Sequence, residues 1–126
     1  MDPHRSTPAS AWTGWINAFL GVWLLISPGV LGFGAVSAAL WNNVLIGILV
    51  IIAGRVAATG EAPAASWANA LFGLWLIASP FVLGFDTTHH PTAAGNNIVF
   101  GLVITGLALL SALLYYPAAR RRAPGA

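Results

Sequence analysis

Asp86-Thr87-Thr88-His89-His90 is a stretch where a carboxylate and two imidazoles fall close together, and such a cluster could hold a metal ion. A loop with a single acid and adjacent histidines more often points them into water, so metal binding at His89 and His90 stays an open alternative rather than an expectation. The remaining histidine, His4, lies in a polar N-terminal stretch. There is no cysteine, hence no thiolate ligand, no thiol nucleophile and no disulfide framework. No Ser/His/Asp set, Gly-rich phosphate loop followed by Lys, or Cys/His metal spacing is found. The sequence therefore predicts no catalytic residues, no cofactor and no enzyme activity.

Uncharged polar residues are the more informative group. Asn17 and Asn69 sit inside apolar stretches, where a buried amide usually bonds across to another helix at a gain of about 0.6–2 kcal/mol. Trp23 and Trp75 each lie eight residues past Trp15 or Trp67, about 12 Å along a helix. At that depth their indole N–H groups want partners. Contacts joining two halves of the molecule are expected from all four, with a lipid, quinone or pigment contact as the alternative for the tryptophans. Asn42, Asn43, Asn96 and Asn97 read as N-caps that open two helices. Pro28 and Pro80 cannot donate to the carbonyls four residues back, so the helix kinks or ends there. Ser27 and Ser79 can satisfy the groups so freed. The Val-Leu-Gly-Phe that follows each proline is then expected as a re-entrant or interfacial segment, with Gly32, Gly34 and Gly84 at the turns.

The elements that must carry these residues follow from composition. Apolar residues make up 58% of the 126 positions and charged residues 6%, against about 25% charged in soluble domains. Eight charges cannot cover a soluble surface, whereas lipid is a solvent that suits this chain. A span needs roughly 20 apolar residues. Four are expected, at 12–31, 43–58, 67–83 and 97–116. The first could instead be a cleaved signal peptide, because Ala35-Val36-Ser37 resembles a cleavage site. Its near-duplicate in mid-chain argues for a span in both places. Arg5, Arg55, Arg120, Arg121 and Arg122 fall on one side of such a four-span arrangement, and the loops on the opposite side contain no Arg. The positive-inside rule then places both termini in the cytoplasm of a bacterial inner membrane. The basic pI of about 10.0 reads as topology rather than nucleic-acid binding. Proton- or ion-coupled transport is disfavoured, since no Asp, Glu or Lys lies in a span.

An internal duplication organises the chain. Trp15–Phe33 reads WINAFLGVWLLISPGVLGF and Trp67–Phe85 reads WANALFGLWLIASPFVLGF, an offset of 67 − 15 = 52 with 12 of 19 positions identical. WNNVLIGILV from Trp41 aligns with GNNIVFGLVI from Gly95 at an offset of 96 − 42 = 54. Small residues at four-residue spacing, such as Gly14/Ala18 and Gly54/Ala58, permit close helix contact. The expected organisation is an N-terminal tail over 1–11, a first hairpin over 12–58, a linker over 59–66, a second hairpin over 67–116 and a basic tail over 117–126. Each hairpin has two spans, so the two run in the same direction and are related by an axis along the membrane normal.

In these motifs the chain resembles the SPW-repeat membrane proteins, small bacterial and archaeal proteins with one or two copies of a two-helix unit. The resemblance covers about Trp12–Tyr116 and is carried by Trp15-x-Asn17-Ala18, Gly21-x-Trp23-Leu24, Ser27-Pro28 and Trp41-Asn42-Asn43, with Trp67-x-Asn69-Ala70, Gly73-x-Trp75-Leu76, Ser79-Pro80 and Asn96-Asn97 in the second copy. The Trp of the family's Ser-Pro-Trp is replaced by Gly29 and Phe81. The resemblance implies an all-α membrane protein of four transmembrane helices in two tandem pseudo-symmetric hairpins, and it implies no biochemical activity. The function expected is that of a structural or accessory membrane subunit, packed with itself in a homo-oligomer or with a larger membrane complex and surrounded by membrane lipid. A small channel or carrier for a neutral or lipidic solute is the alternative.

Overall fold

A computed structural model of the chain describes the backbone over 8–59 and 63–121, and side chains within 11–59 and 63–113. Arg5 and Arg122 lie outside the described residues, and the side chains of Arg120 and Arg121 do also. Four helices follow one another: α1 (Pro8–Leu31), α2 (Ser37–Ala57), α3 (Pro63–Leu83) and α4 (Pro91–Arg121). All four are long and apolar enough to cross a membrane, over Ala11–Leu31, Ser37–Ala57, Pro63–Leu83 and Pro91–Leu113. Twenty-one residues rise about 31 Å, which matches the hydrocarbon thickness of a bilayer.

The helices form a ring in which each packs on its two sequence neighbours, and α4 closes onto α1. Within each repeat the antiparallel pair meets at glycines. A Cβ at Gly21 would lie 2.7 Å from the carbonyl oxygen of Gly47, and one at Gly101 would lie 2.7 Å from that of Gly73. Nearer the termini, a Cβ on Gly54 would meet the Ala18 backbone nitrogen at 2.7 Å. With lipid on the outside, helices gain by backbone proximity and van der Waals packing rather than by burying apolar surface from water. These glycines make that approach possible. The shared core is small: Leu24, Ile46, Val50, Leu76 and Ile104. The large side chains Phe19, Trp41, Leu45, Leu71, Phe81 and Val82 point outward, as a lipid-facing surface requires.

Helix limits depart from the sequence expectation in three places. First, α2 and α4 start six residues early, at Ser37 and Pro91 rather than at Asn43 and Asn97. The second span is thus full length, and Pro91 opens α4 at a position where a missing N–H costs nothing. Second, α3 starts at Pro63, so much of the expected 59–66 linker is helix. Third, neither proline ends its helix, and the sequel is not re-entrant. α1 runs on through Pro28 to Leu31, and α3 through Pro80 to Leu83.

The physical reason is local satisfaction. Ser27 Oγ donates to Leu24 O at 2.9 Å, and Ser79 Oγ donates to Leu76 O at 2.8 Å. These are the carbonyls that the proline four residues on leaves without a donor. Glycines then stop both helices. Gly32 (φ +79) and Gly84 (φ +83) adopt the left-handed conformation. Phe33 N–H closes on Pro28 O at 3.0 Å in a Schellman cap, whereas Gly84 N–H closes on Pro80 O at 3.1 Å in the simpler single-bond cap. The following Phe33 and Phe85 pack with Ala39 and Ala93 into a second apolar cluster beneath the loops.

Candidate functional site

Depth explains why polar groups collect where they do. Six residues into α2 and α4 is about 9 Å below the loop-side ends of the helices. A buried amide inside an apolar, membrane-length bundle needs a protein partner. Asn42, Asn43, Asn96 and Asn97 reach this level as two adjacent pairs. Adjacent helical residues point about 100° apart. One member of each pair can therefore face the bundle axis while the other faces a neighbouring helix.

Asn43 and Asn97 meet across the bundle. Asn43 Nδ2 donates to Asn97 Oδ1 at 3.0 Å, and Asn97 Nδ2 donates to Asn43 Oδ1 at 2.8 Å. Each also donates to the proline-adjacent serine of its own repeat, Asn43 to Ser27 Oγ at 3.2 Å and Asn97 to Ser79 Oγ at 3.3 Å. The outer pair receives the tryptophans. Trp23 Nε1 donates to Asn96 Oδ1 at 2.9 Å, and Trp75 Nε1 donates to Asn42 Oδ1 at 2.7 Å. Asn42 and Asn96 donate in turn to Asn43 Oδ1 and Asn97 Oδ1 at 3.4 and 3.3 Å. Asn96 also donates to Ser27 Oγ at 3.3 Å. The four asparagines and both serines are buried. Trp23 stacks obliquely on Phe100, with ring centroids 5.8 Å apart.

The expectation that these asparagines cap helices is therefore corrected. The N-cap of α2 is Val36, which makes no side-chain cap bond, and all four asparagines are interior residues. Both Trp–Asn bonds cross between repeats, and so does the Asn43–Asn97 pair. Exchanging the repeats exchanges Trp23→Asn96 for Trp75→Asn42, which is a pseudo-twofold relation about an axis between the hairpins.

The other two amides lie toward the terminal end and differ in kind. Asn17 is 2% exposed and Asn69 is 1% exposed. Asn17 Nδ2 reaches Ile104 O on α4 only at 3.5 Å. Asn17 Oδ1 and both side-chain polar atoms of Asn69 have no protein partner. Asn69 thus does not make the inter-repeat bond expected of it. Between α3 and α4 the Ser66 and Ser111 hydroxyls bond at 3.0 Å, a link within the second repeat that was not among the expected contacts. Their equivalents in the first repeat are Gly14 and Ala57, so the signal was a pair of hydroxyls present in the second copy only.

His89 and His90 lie in the loop between α3 and α4. Among the described residues no group of three His, Cys, Asp or Glu side chains converges. Asp86 instead organises its own turn. Its Oδ1 accepts from the backbone N–H of His89 at 2.9 Å and of Thr88 at 3.2 Å, and contacts His89 Nδ1 at 3.0 Å. The His89 backbone bond, followed by the His89 side-chain bond, holds the Asp86 carboxyl below its ordinary value of 3.8. At the opposite end of the bundle, Arg55 lays its guanidinium over Trp15, 5.3 Å from Cζ to the ring centroid.

The arrangement joins two hairpins by hydrogen bonds. A family model described as the SPW repeat domain matches residues 11–111. No curated protein and no solved structure matches the chain.

Proposed function

This chain belongs to the SPW repeat family, and on that premise we propose that it is a non-catalytic structural or accessory subunit of the membrane, packing with itself or with a larger membrane complex. The observation that carries this reading is the use made of polar groups. On the loop side, the Trp23 and Trp75 N–H groups and all four asparagine amides are spent on one another and on Ser27 and Ser79. They tie the repeats into one unit and leave apolar side chains as the surface offered outward. The test is assembly. Protein purified in mild detergent should run above monomer size, or crosslinking in native membranes should capture partners. A strict monomer with no crosslinked partner overturns the proposal.

The same reading places the protein in a bacterial inner membrane with both termini in the cytoplasm. What supports it is the Arg asymmetry: Arg55 lies in the last turn of α2, on the side of the chain termini that carry Arg5 and Arg120–Arg122. A C-terminal reporter active only outside the cytoplasm should be silent.

A second reading, a small conduit for a neutral solute, is favoured by the unpartnered amide atoms of Asn17 and Asn69. Flux of small neutral solutes into liposomes that vanishes in the Asn17→Leu, Asn69→Leu double variant would support it. Absence of flux for every solute tried excludes it.

A further inference from the structure

The two repeats are alike around the asparagine network and differ at the terminal end of the bundle. On α1, Trp15, Ala18, Phe19 and Val22 recur at the three- and four-residue spacing that makes one helix face. With Ile51 of α2 they line an open groove of about 170 Å³. Ala18 is its buried floor, and Phe19, 71% exposed, is a projecting wall. Trp15 to Val22 spans seven residues, about 10 Å of membrane depth. The wall of the groove is wholly apolar, as a site for hydrocarbon should be.

A cation stands at the mouth of this groove. Arg55 follows Ile51 by one helical turn, two residues before α2 ends at Ala57. Its guanidinium is held over the Trp15 ring that lines the groove. The cation thereby sits beside the Trp15 end of the groove, in the last turn of α2. A guanidinium laid on an indole keeps in-plane N–H donors that match a phosphate. Among the described residues the sole acid is Asp86, in the loop at the other end of the bundle; Asp2 and Glu61 lie outside the described residues. The equivalent positions in the second repeat are Trp67, Ala70, Leu71, Leu74 and Thr105, and the counterpart of Arg55 is Leu109 (55 + 54 = 109). The cation therefore belongs to one groove only.

We propose that the α1–α2 groove seats one anionic phospholipid, with its phosphate on Arg55 and an acyl chain along Trp15, Phe19, Val22 and Ile51. Charge complementarity at the mouth and the apolar stripe below it select a lipid rather than a free anion. The site depends only on the chain being in a membrane, not on whether it docks to a partner.

The full-length protein in mild detergent is titrated with mixtures of phosphatidylglycerol and phosphatidylcholine, and retained lipids are counted by native mass spectrometry. The wild type should hold one phosphatidylglycerol with roughly fivefold preference, the contribution of one basic residue at the headgroup level. Arg55→Gln should remove the preference. Val22→Trp should fill the groove and lower retention of both lipids although Arg55 remains. If that variant does not fold, Ile51→Trp fills the same groove from α2. Inorganic phosphate should show no retention. Equal retention of the two lipids by the wild type, an unchanged preference in Arg55→Gln, or retention unaffected by filling the groove would each overturn the proposal. So would a dimer that groove filling abolishes, because the occupant would then be a second copy of the chain.

Discussion

Asn43 and Asn97 exchange two hydrogen bonds, 3.0 and 2.8 Å long, across the bundle between the second helix of each repeat. Both are fully buried. Neither amide can find water at that depth, so each depends on the other. Asn43→Ala or Asn97→Ala alone should cost about 1–3 kcal/mol, because the remaining amide loses both bonds of the exchange and keeps only those to its serine and its neighbouring asparagine. The double variant should cost less than the sum by at least about 0.5 kcal/mol. Reversible unfolding in detergent or bicelles measures this, and strict additivity would show that the pair is not coupled.

The glycine seams give a second prediction through contrast. Gly21→Ala and Gly47→Ala place a Cβ 2.7–2.8 Å from a backbone carbonyl that cannot move aside, and should each cost about 1–3 kcal/mol or more. Gly29 and Gly106 have nothing within 4 Å of such a Cβ. Alanine at either should be neutral or stabilising by up to about 1 kcal/mol, since both are helical. Thermal unfolding of the four variants side by side separates seam glycines from bystanders.

Asn69 leads to a result opposite to that expected for a buried polar residue. Its side chain has no protein partner, so Asn69→Leu removes an unmet polar group and should leave stability unchanged or raise it, whereas loss of a paired membrane amide costs about 0.6–2 kcal/mol. A loss of more than about 1 kcal/mol on Asn69→Leu would mean that something other than this chain satisfies the amide, and would favour the conduit reading.

Asp86 supplies a pH signature outside the spans. Its carboxyl is held below 3.8 by donors from His89 and Thr88. A depressed folded-state value stabilises the turn above the unfolded value and loses that contribution as pH falls through the folded one. NMR titration of Asp86 should give a midpoint under 3.8, with the Thr88 and His89 amide shifts moving together with it. A midpoint at or above 3.8 would mean that the turn is not held by the carboxylate.

Much was legible in the residues themselves. Four spans, two tandem hairpins and a bulk of non-ionisable residues followed from hydropathy and the 52-residue repeat, because the bilayer imposes length and apolarity on each helix separately. The serine beside each proline was legible too, since its carbonyl partner lies three residues back on the same helix. What the tertiary structure alone decided is partnership. Asparagine is equally suited to a helix cap and to a bond between helices, and nothing local distinguishes the two roles at Asn42, Asn43, Asn96 and Asn97. Helices that start six residues earlier moved them into the interior. Trp23 plainly needed an acceptor, yet Asn96 lies 73 residues away. Likewise Asn17 and Asn69 match in sequence, but one reaches a carbonyl and the other reaches none. Periodicity sets what each helix must bury, whereas which amide meets which depends on how the four helices rotate about the axis between the repeats.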